Sequence, residues 1–239
     1  MTTNPIPAEA PNDESKSQRV YSYLRRRIRD LEIPPGAPLR KKEIAIECGV
    51  SRAPVSEAIA RLSAEGLVDV YPQSGSFVCP IRPDDVRESM FIRMGLELEA
   101  IRRVTLIADQ ELLRRLEANI EAQRQALAAV PLDAAKYDDL DEELHAAIVA
   151  ALNSPRARHL LESARVLLDR PRYLALPEDH RPQDTFEEHR RIVDAIATGD
   201  ADLAAAAMRV HLSNVAAAIE KKLAQIEQTE EGDVHHDPD

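Results

Sequence analysis

Apolar residues near the N-terminus recur at steps of three and four positions. They are Val20, Tyr23, Leu24, Ile28 and Leu31. This spacing places them on one face of an amphipathic helix, which we predict over residues 16–31. Pro34, Pro35 and Gly36 follow, and these residues end a helix because proline cannot donate the helical hydrogen bond and glycine permits a turn.

The next fifty residues predict two more helices and a hairpin. A short helix spans about 41–48, and a longer one spans 52–65, with Ser51 as its N-cap and Gly66 as its C-terminal stop. Two extended runs, Leu67–Tyr71 and Ser76–Cys79, flank a turn-forming segment and predict a β-hairpin. The order of three helices and a hairpin predicts a winged helix-turn-helix.

Beyond residue 83 the apolar spacing is helical throughout, and no segment shows a convincing strand pattern. Breakers separate six predicted helices, which span about 83–108, 109–129, 133–152, 155–176, 184–198 and 200–228. Pro171 should kink or divide the fourth of them. The fold class is therefore mostly α, with a winged helix-turn-helix followed by an antiparallel all-α bundle of six helices.

Charge is distributed unevenly along the 239 residues, whose net charge is −11. Residues 16–80 carry a balance of +4, whereas residues 81–239 carry −12. A small basic unit on an acidic body is typical of a nucleic-acid reader with a separate second domain, although solvated helix faces would give a similar pattern. No apolar run is long enough to span a membrane, and the Pro-rich, acidic N-terminus lacks the features of a secretory signal. We therefore expect a cytoplasmic protein with no membrane partner.

The start of the third helix is the candidate DNA-reading surface. A major-groove reader places its base-contacting residues at this end, where Ser51, Arg52, Ala53 and Ser56 stand. Arg52 can donate two parallel hydrogen bonds to a guanine edge. Further predicted DNA contacts are Arg40 and Lys42 before and within the second helix, which suit phosphates, and Gly75 at the hairpin tip.

Three histidines form the second group of candidate functional residues. Asp141 and His145 lie four residues apart on one helical face, and His189 and His211 each fall among inward-facing apolar residues of a later helix. A single inward histidine is usually a hydrogen-bonded core residue, but three imidazoles and a carboxylate suit a divalent metal such as Zn, Ni or Mn. Spacing alone does not show that the three helices are neighbours.

The N-terminal motifs resemble the DNA-binding domain of GntR-family bacterial transcription regulators. They include the runs Pro35–Leu39, Glu43–Ala45, Gly49–Val55, Glu65–Val68 and Gly75–Val78. Ser56 and Lys42 stand where relatives often have arginine, so the operator sequence is not predicted. The remainder resembles the FCD domain, the helical effector domain of the FadR-type branch. That resemblance implies a metal held by Asp141, His145, His189 and His211.

An effector site is predicted beside these residues. Arg93 lies on the inward face of its helix, where an uncompensated guanidinium would be unfavourable. Either Glu97, four residues on, neutralises it, or it binds an anionic ligand; an arginine and a glutamate at this spacing also occur in the FCD family. Arg172 and Asn214 are further candidates for contact with the effector. A metal with open positions next to a guanidinium would bind a small carboxylate.

Together these features predict a metabolite-responsive transcription regulator, a repressor as is commonest in the family. A homodimer would read an inverted-repeat operator in double-stranded DNA, because a two-fold dimer matches two-fold DNA. The expected organisation is a disordered tail over 1–15, a DNA-binding domain over 16–80, an effector domain over 84–228 and a second disordered tail over 229–239. Two alternatives stay open: a direct metal sensor, and a metal-dependent hydrolase with a DNA-binding module. The hydrolase lacks a His-Glu-x-x-His motif to supply its base.

Overall fold

The computed structural model describes residues 15–130, 132, 134–175 and 181–234, without the side chains of 134–135, 172–175, 181 and 226–234. Of the disordered tails predicted over 1–15 and 229–239, residues 1–14 and 235–239 lie outside this description. The chain divides between Arg82 and Pro83 into two compact units. The elements are α1 Lys16–Arg29, α2 Lys41–Glu47, α3 Arg52–Ala64, β1 Val68–Tyr71, β2 Gly75–Val78, α4 Pro83–Ile107, α5 Gln110–Ala128, α6 Ala134–Ala150, α7 Pro155–Ala175, α8 Arg181–Thr198 and α9 Ala201–Val234.

The first unit is a winged helix-turn-helix, as the sequence predicts. Helices α1 and α2 both pack on α3, and α3 packs on β1. The strands β1 and β2 pair antiparallel, from Val68 opposite Val78 to Tyr71 opposite Gly75. Pro38 forms an isolated bridge with Phe77, which ties the segment before α2 to the wing. The inward stripes of α1 and α3 form a fully buried core, to which Val20, Leu24, Ile28, Val55, Ile59 and Leu62 contribute.

Two local expectations in this unit are corrected by the structure. The helix α1 ends at Arg29 rather than at Leu31, because Leu31 adopts a left-handed backbone with φ of 56° before the prolines are reached. Ser51 stands at the N-cap of α3, but its side chain accepts no hydrogen bond from the helix. Pro54, at the third helical position, has no N–H to donate to the cap, which removes one of the two usual donors.

The second unit contains α4 to α9 and has no strand among its described residues. The first helix, α4, packs against α6, α7, α8 and α9, while α5 packs against α6 and α8. Helix α7 continues through Pro171 to Ala175 without division. Helix α8 begins three residues earlier than the sequence predicts, and α9 continues six residues beyond Gln228. Among the described helices, none combines the length and apolar character that crossing a bilayer would require.

Candidate metal centre and DNA-reading surface

The residues predicted to contact DNA are accessible on the first unit. Arg40, Lys42, Ser51, Arg52, Ala53 and Gly75 are exposed, and Ser56 is half-buried. A groove of about 600 Å³ runs between the segment before α2 and the wing, and its lining includes Arg40 and Gly75. Gly75 has a φ of 117°, which a side chain would strain, so a glycine suits this position at the hairpin tip.

Part of this surface already has partners within the chain. Arg40 lies 3.3 Å from Glu43, and both side chains are about two-thirds exposed. An exposed pair of this kind contributes little to stability and can exchange for a phosphate contact. Ser51, which does not cap α3, keeps its hydroxyl at the accessible end of that helix.

In the second unit, four buried side chains from three helices converge. Asp141 and His145 come from α6, His189 from α8 and His211 from α9, and each offers one ligand atom within 4.8 Å of the others. The ring centroids of His189 and His211 lie 4.6 Å apart. The ring centroid of His145 lies 5.3 Å from that of His189 and 5.1 Å from that of His211. The structure thus brings together all four residues predicted as metal ligands.

Each imidazole is held at its Nδ1 atom by a side chain from outside this cluster. His145 Nδ1 contacts Glu97 Oε2, His189 Nδ1 lies 2.9 Å from Gln123 Oε1, and His211 Nδ1 lies 2.8 Å from Glu188 Oε2. Metal-ligating histidines commonly donate their other ring N–H to such an acceptor. Nδ1 is thus occupied in each imidazole, and a ligand would bind at Nε2.

The Nε2 atoms of two imidazoles face the interior of the cluster. Within the described residues, His211 Nε2 is buried without a hydrogen-bond partner. His189 Nε2 lies 3.2 Å from Asp141 Oδ1, but the contact lacks the geometry of a hydrogen bond. Buried polar atoms are normally satisfied, so these two imidazole nitrogens have the capacity to bind a ligand.

Two buried arginines, Arg93 and Arg165, lie next to the cluster of histidines and Asp141. Arg93 Nε donates to Glu97 Oε1 at 2.6 Å, and Arg93 Nη2 lies 3.3 Å from His145 Nε2. Arg165 donates to Asp141 Oδ2 at 3.3 Å and to the backbone oxygen of Glu142 at 3.0 Å. Glu97 thus pairs with Arg93 through Nε, as the first of the two interpretations of the sequence expects, while Arg93 Nη2 faces the cluster.

Burial determines the protonation of these groups. It lowers the pKa of His145 to about 4, with the guanidinium of Arg93 acting in the same direction against the opposing carboxylate of Glu97. It also lowers the pKa of His211 well below its ordinary value, reinforced by the other two histidines. Burial would raise the pKa of Glu97, but contact with His145 and Arg93 outweighs it, so that this pKa lies below its usual range. At neutral pH, His145 and His211 are uncharged, as metal ligation requires.

The other predicted effector residues differ in their surroundings. Asn214 donates to Glu188 Oε1 at 2.6 Å, so it supports the carboxylate that contacts His211. The side chain of Arg172 lies outside the described residues. Sequence reasoning missed Gln123 and Glu188. A polar residue at an inward position of α5, between the buried Leu116 and Ala126, is the signal that would have indicated Gln123.

Comparison with known families covers both units. Residues 16–78 match the family "Bacterial regulatory proteins, gntR family", and residues 88–214 match the FCD domain. These ranges contain the residues predicted to contact DNA and the histidine cluster respectively.

Individual relatives are named as transcription regulators. An HTH-type transcriptional regulator in an unstable DNA locus of Streptomyces ambofaciens is 34% identical over 88% of this chain and 87% of its own. The HTH-type transcriptional repressor RspR of Escherichia coli K12 is 32% identical over 85% of this chain and 88% of its own. The solved structure of Escherichia coli McbR/YncC matches with a TM-score of 0.78 at 21% identity, covering 88% of this chain and 99% of that one, and shows the shared fold.

Proposed function

Because the chain belongs to the GntR family of bacterial transcription regulators and carries an FCD domain, we propose that it is a metabolite-responsive repressor controlled by a metal-anchored carboxylate. The family and the names of its relatives indicate a regulator and not an enzyme. One of those relatives is named a repressor, which supports the direction of regulation. Such a repressor would act in the cytoplasm as a homodimer on an inverted-repeat operator, since a two-fold dimer matches two-fold DNA.

The proposed DNA contacts rest on the exposed end of α3 and on the wing. Arg52 is exposed at the first helical position, where a guanidinium can reach a base edge in the major groove. We expect Arg52→Ala to weaken binding to the DNA upstream of the protein's own gene by roughly 5- to 150-fold. Arg191→Ala, at an exposed position of α8, is the control and should bind normally. Equal binding by both variants in fluorescence anisotropy would refute the assignment.

The proposed metal site rests on one observation, the convergence of Asp141, His145, His189 and His211 within 4.8 Å. The residues fit a divalent ion in two respects. The donor set of three imidazoles and one carboxylate suits Zn, Ni or Mn. The buried Nε2 atom of His211 has no hydrogen-bond partner among the described residues, so a ligand there would satisfy it. A bound ion would supply an electrophilic centre to which an anion can attach.

The metal assignment is tested by measuring bound metal in purified protein by inductively coupled plasma mass spectrometry. We expect about one ion per chain, lost in His189→Ala and in His211→Ala, because each variant removes a ligand. His159→Ala, at an exposed position of α7, keeps the ion if the site is the one proposed. Unchanged metal content in the two ligand variants would contradict the proposal.

A carboxylate effector is supported by the position of Arg93. Its Nη2 atom lies 3.3 Å from His145 Nε2, which is the atom that would bind the ion. One imidazole lone pair cannot serve both a metal and an N–H donor. Ligation by His145 would therefore leave the Arg93 guanidinium next to the ion with an unused N–H group, and a carboxylate could bridge the two.

The effector assignment is tested by titrating small carboxylic acids into the metal-loaded protein on operator DNA. We expect one chemical class to change the DNA affinity, because a ligand shifts the equilibrium only if it prefers one state. Arg93→Gln should abolish the response, while Arg103→Gln, on the exposed face of α4, should retain it. If instead the ion alone changes the DNA affinity and no acid adds to the effect, the protein is a direct metal sensor.

A further inference from the structure

A chain of side-chain amides links the backbone of α6 to His189. Asn119 and Gln123 lie one turn apart on α5. Asn119 Nδ2 donates to the backbone oxygen of Leu140 at 3.0 Å, and Gln123 Nε2 donates to Asn119 Oδ1 at 2.7 Å. Gln123 Oε1 then lies 2.9 Å from His189 Nδ1. Both Gln123 and His189 are fully buried.

The direction of these hydrogen bonds is fixed where Asn119 meets the backbone oxygen of Leu140. A backbone oxygen can only accept a hydrogen bond, so Asn119 must present its NH2 group to Leu140 and its oxygen to Gln123. Gln123 must then present its own NH2 group to Asn119 and its oxygen to His189. In its neutral form, the imidazole of His189 therefore carries its proton on Nδ1, which leaves the Nε2 lone pair directed at the cluster.

The acceptor at His189 differs from those at the other two imidazoles. His145 and His211 face the carboxylates of Glu97 and Glu188, whereas His189 faces a neutral amide. A carboxylate accepts in either orientation, so it needs no further support to select the Nδ1–H form. An amide can turn its NH2 group towards the imidazole instead, and it does so unless a neighbour prevents it. Asn119 supplies that constraint.

We propose that Gln123, oriented by Asn119, is a positioning residue that fixes the Nδ1–H tautomer of His189 and thereby sets the metal affinity of the cluster. This inference rests on the proposed metal site. Loss of such supporting hydrogen bonds typically weakens metal binding about 10- to 100-fold, because the ligand then samples other tautomers and ring orientations.

The experiment compares three variants of the full chain. Gln123→Met keeps the volume and removes the acceptor, and Gln123→Glu restores an acceptor for His189. Gln125→Met makes the same change at an exposed position of α5. Zinc affinity is measured by competition with a chromophoric chelator. The tautomer of His189 is read in the metal-free protein at pH 7.5 from long-range ¹H–¹⁵N correlation spectra of the imidazoles.

We expect Gln123→Met to bind zinc about 10- to 100-fold more weakly and to lose the single Nδ1–H signature of His189. Gln123→Glu and Gln125→Met should stay within about threefold of the wild type and keep that signature. If Gln123 only filled space, Gln123→Met and Gln123→Glu would bind zinc equally well, because Met fits the volume as well as Glu. An unchanged tautomer or zinc affinity in Gln123→Met would overturn the proposal.

A second variant keeps the inference testable if Gln123→Met does not fold. Asn119→Ala leaves Gln123 in place but removes the group that orients it, so we expect a mixed tautomer of His189 and weaker zinc binding. An Nδ1–H signature that persists in Asn119→Ala would overturn the role of the amide chain. Failure of the wild type to bind zinc would refute the proposed function instead, because the tautomer is measured without metal.

Discussion

Acidification should destabilise the metal-free protein through its buried histidines. Burial lowers the pKa of His145 to about 4, whereas an imidazole in the unfolded chain titrates near 6.5. The folded state therefore binds fewer protons than the unfolded state in this range. The stabilising contribution is complete above about pH 6.5 and is lost as the pH falls towards 4.

The magnitude follows from the two pKa values. Between pH 7 and pH 5, the linkage relation gives a loss of about 2 kcal/mol from His145 alone. His211, whose pKa is also lowered by burial, adds a loss of the same sign. Glu97 contacts His145 directly, and because its pKa lies below its usual range it keeps its charge over this interval and does not offset the effect.

The assay is urea unfolding followed by helical circular dichroism at pH 7, 6 and 5 in the presence of a chelator. The titration of the His145 ring proton is followed in parallel by NMR. We expect His145→Gln to lose about 2 kcal/mol of the pH dependence, and His159→Gln, at an exposed position, to keep all of it. A midpoint near 6.5 for folded His145, or an undiminished pH dependence in His145→Gln, would refute the reasoning.

Other expectations follow from single contacts. Zinc at 100 times its dissociation constant should raise the free energy of unfolding by about 2.7 kcal/mol, seen as a higher melting temperature that a chelator reverses and that His211→Ala lacks. Tyr21→Phe removes hydrogen bonds of 2.9 and 2.7 Å to Glu65 and should lower the stability of the first unit by about 1 kcal/mol in urea unfolding. Gly49→Ala should destabilise by about 1 kcal/mol because Gly49 has a φ of 64°, whereas Gly95→Ala within α4 should stabilise by a similar amount. Equal effects at the two glycines would contradict the backbone argument.

The helices were predictable because their apolar spacing is regular and their ends are marked by proline, glycine or acidic caps. The errors lie at ends where such signals are weak. Asp184 looks like the start of α8, but Pro182 is tolerated in a first helical turn and the helix begins at Arg181. No proline interrupts the sequence between Gln228 and Val234, and α9 continues through it.

The candidate site was predictable in its ligands but not in its supports. His145, His189 and His211 each interrupt an apolar stripe, which is a signal visible in one helix at a time. The contact of Gln123 with His189 joins α5 to α8, and its existence depends on which helices become neighbours. Spacing along the chain carries no information about that choice. For the same reason, the sequence left two alternatives open for Arg93, a pair with Glu97 or contact with an anionic ligand.

The four converging side chains come from α6, α8 and α9, so segments 44 and 22 residues apart meet at one point. An ion held there would be a reversible cross-link between three helices. It would close long loops in the folded chain and oppose the separation of those helices. Proteases cleave transiently opened segments, and the rate follows how often a segment opens. The half-life of the regulator in a cell would then depend on the supply of the ion, so starvation for that metal would lower the amount of the protein.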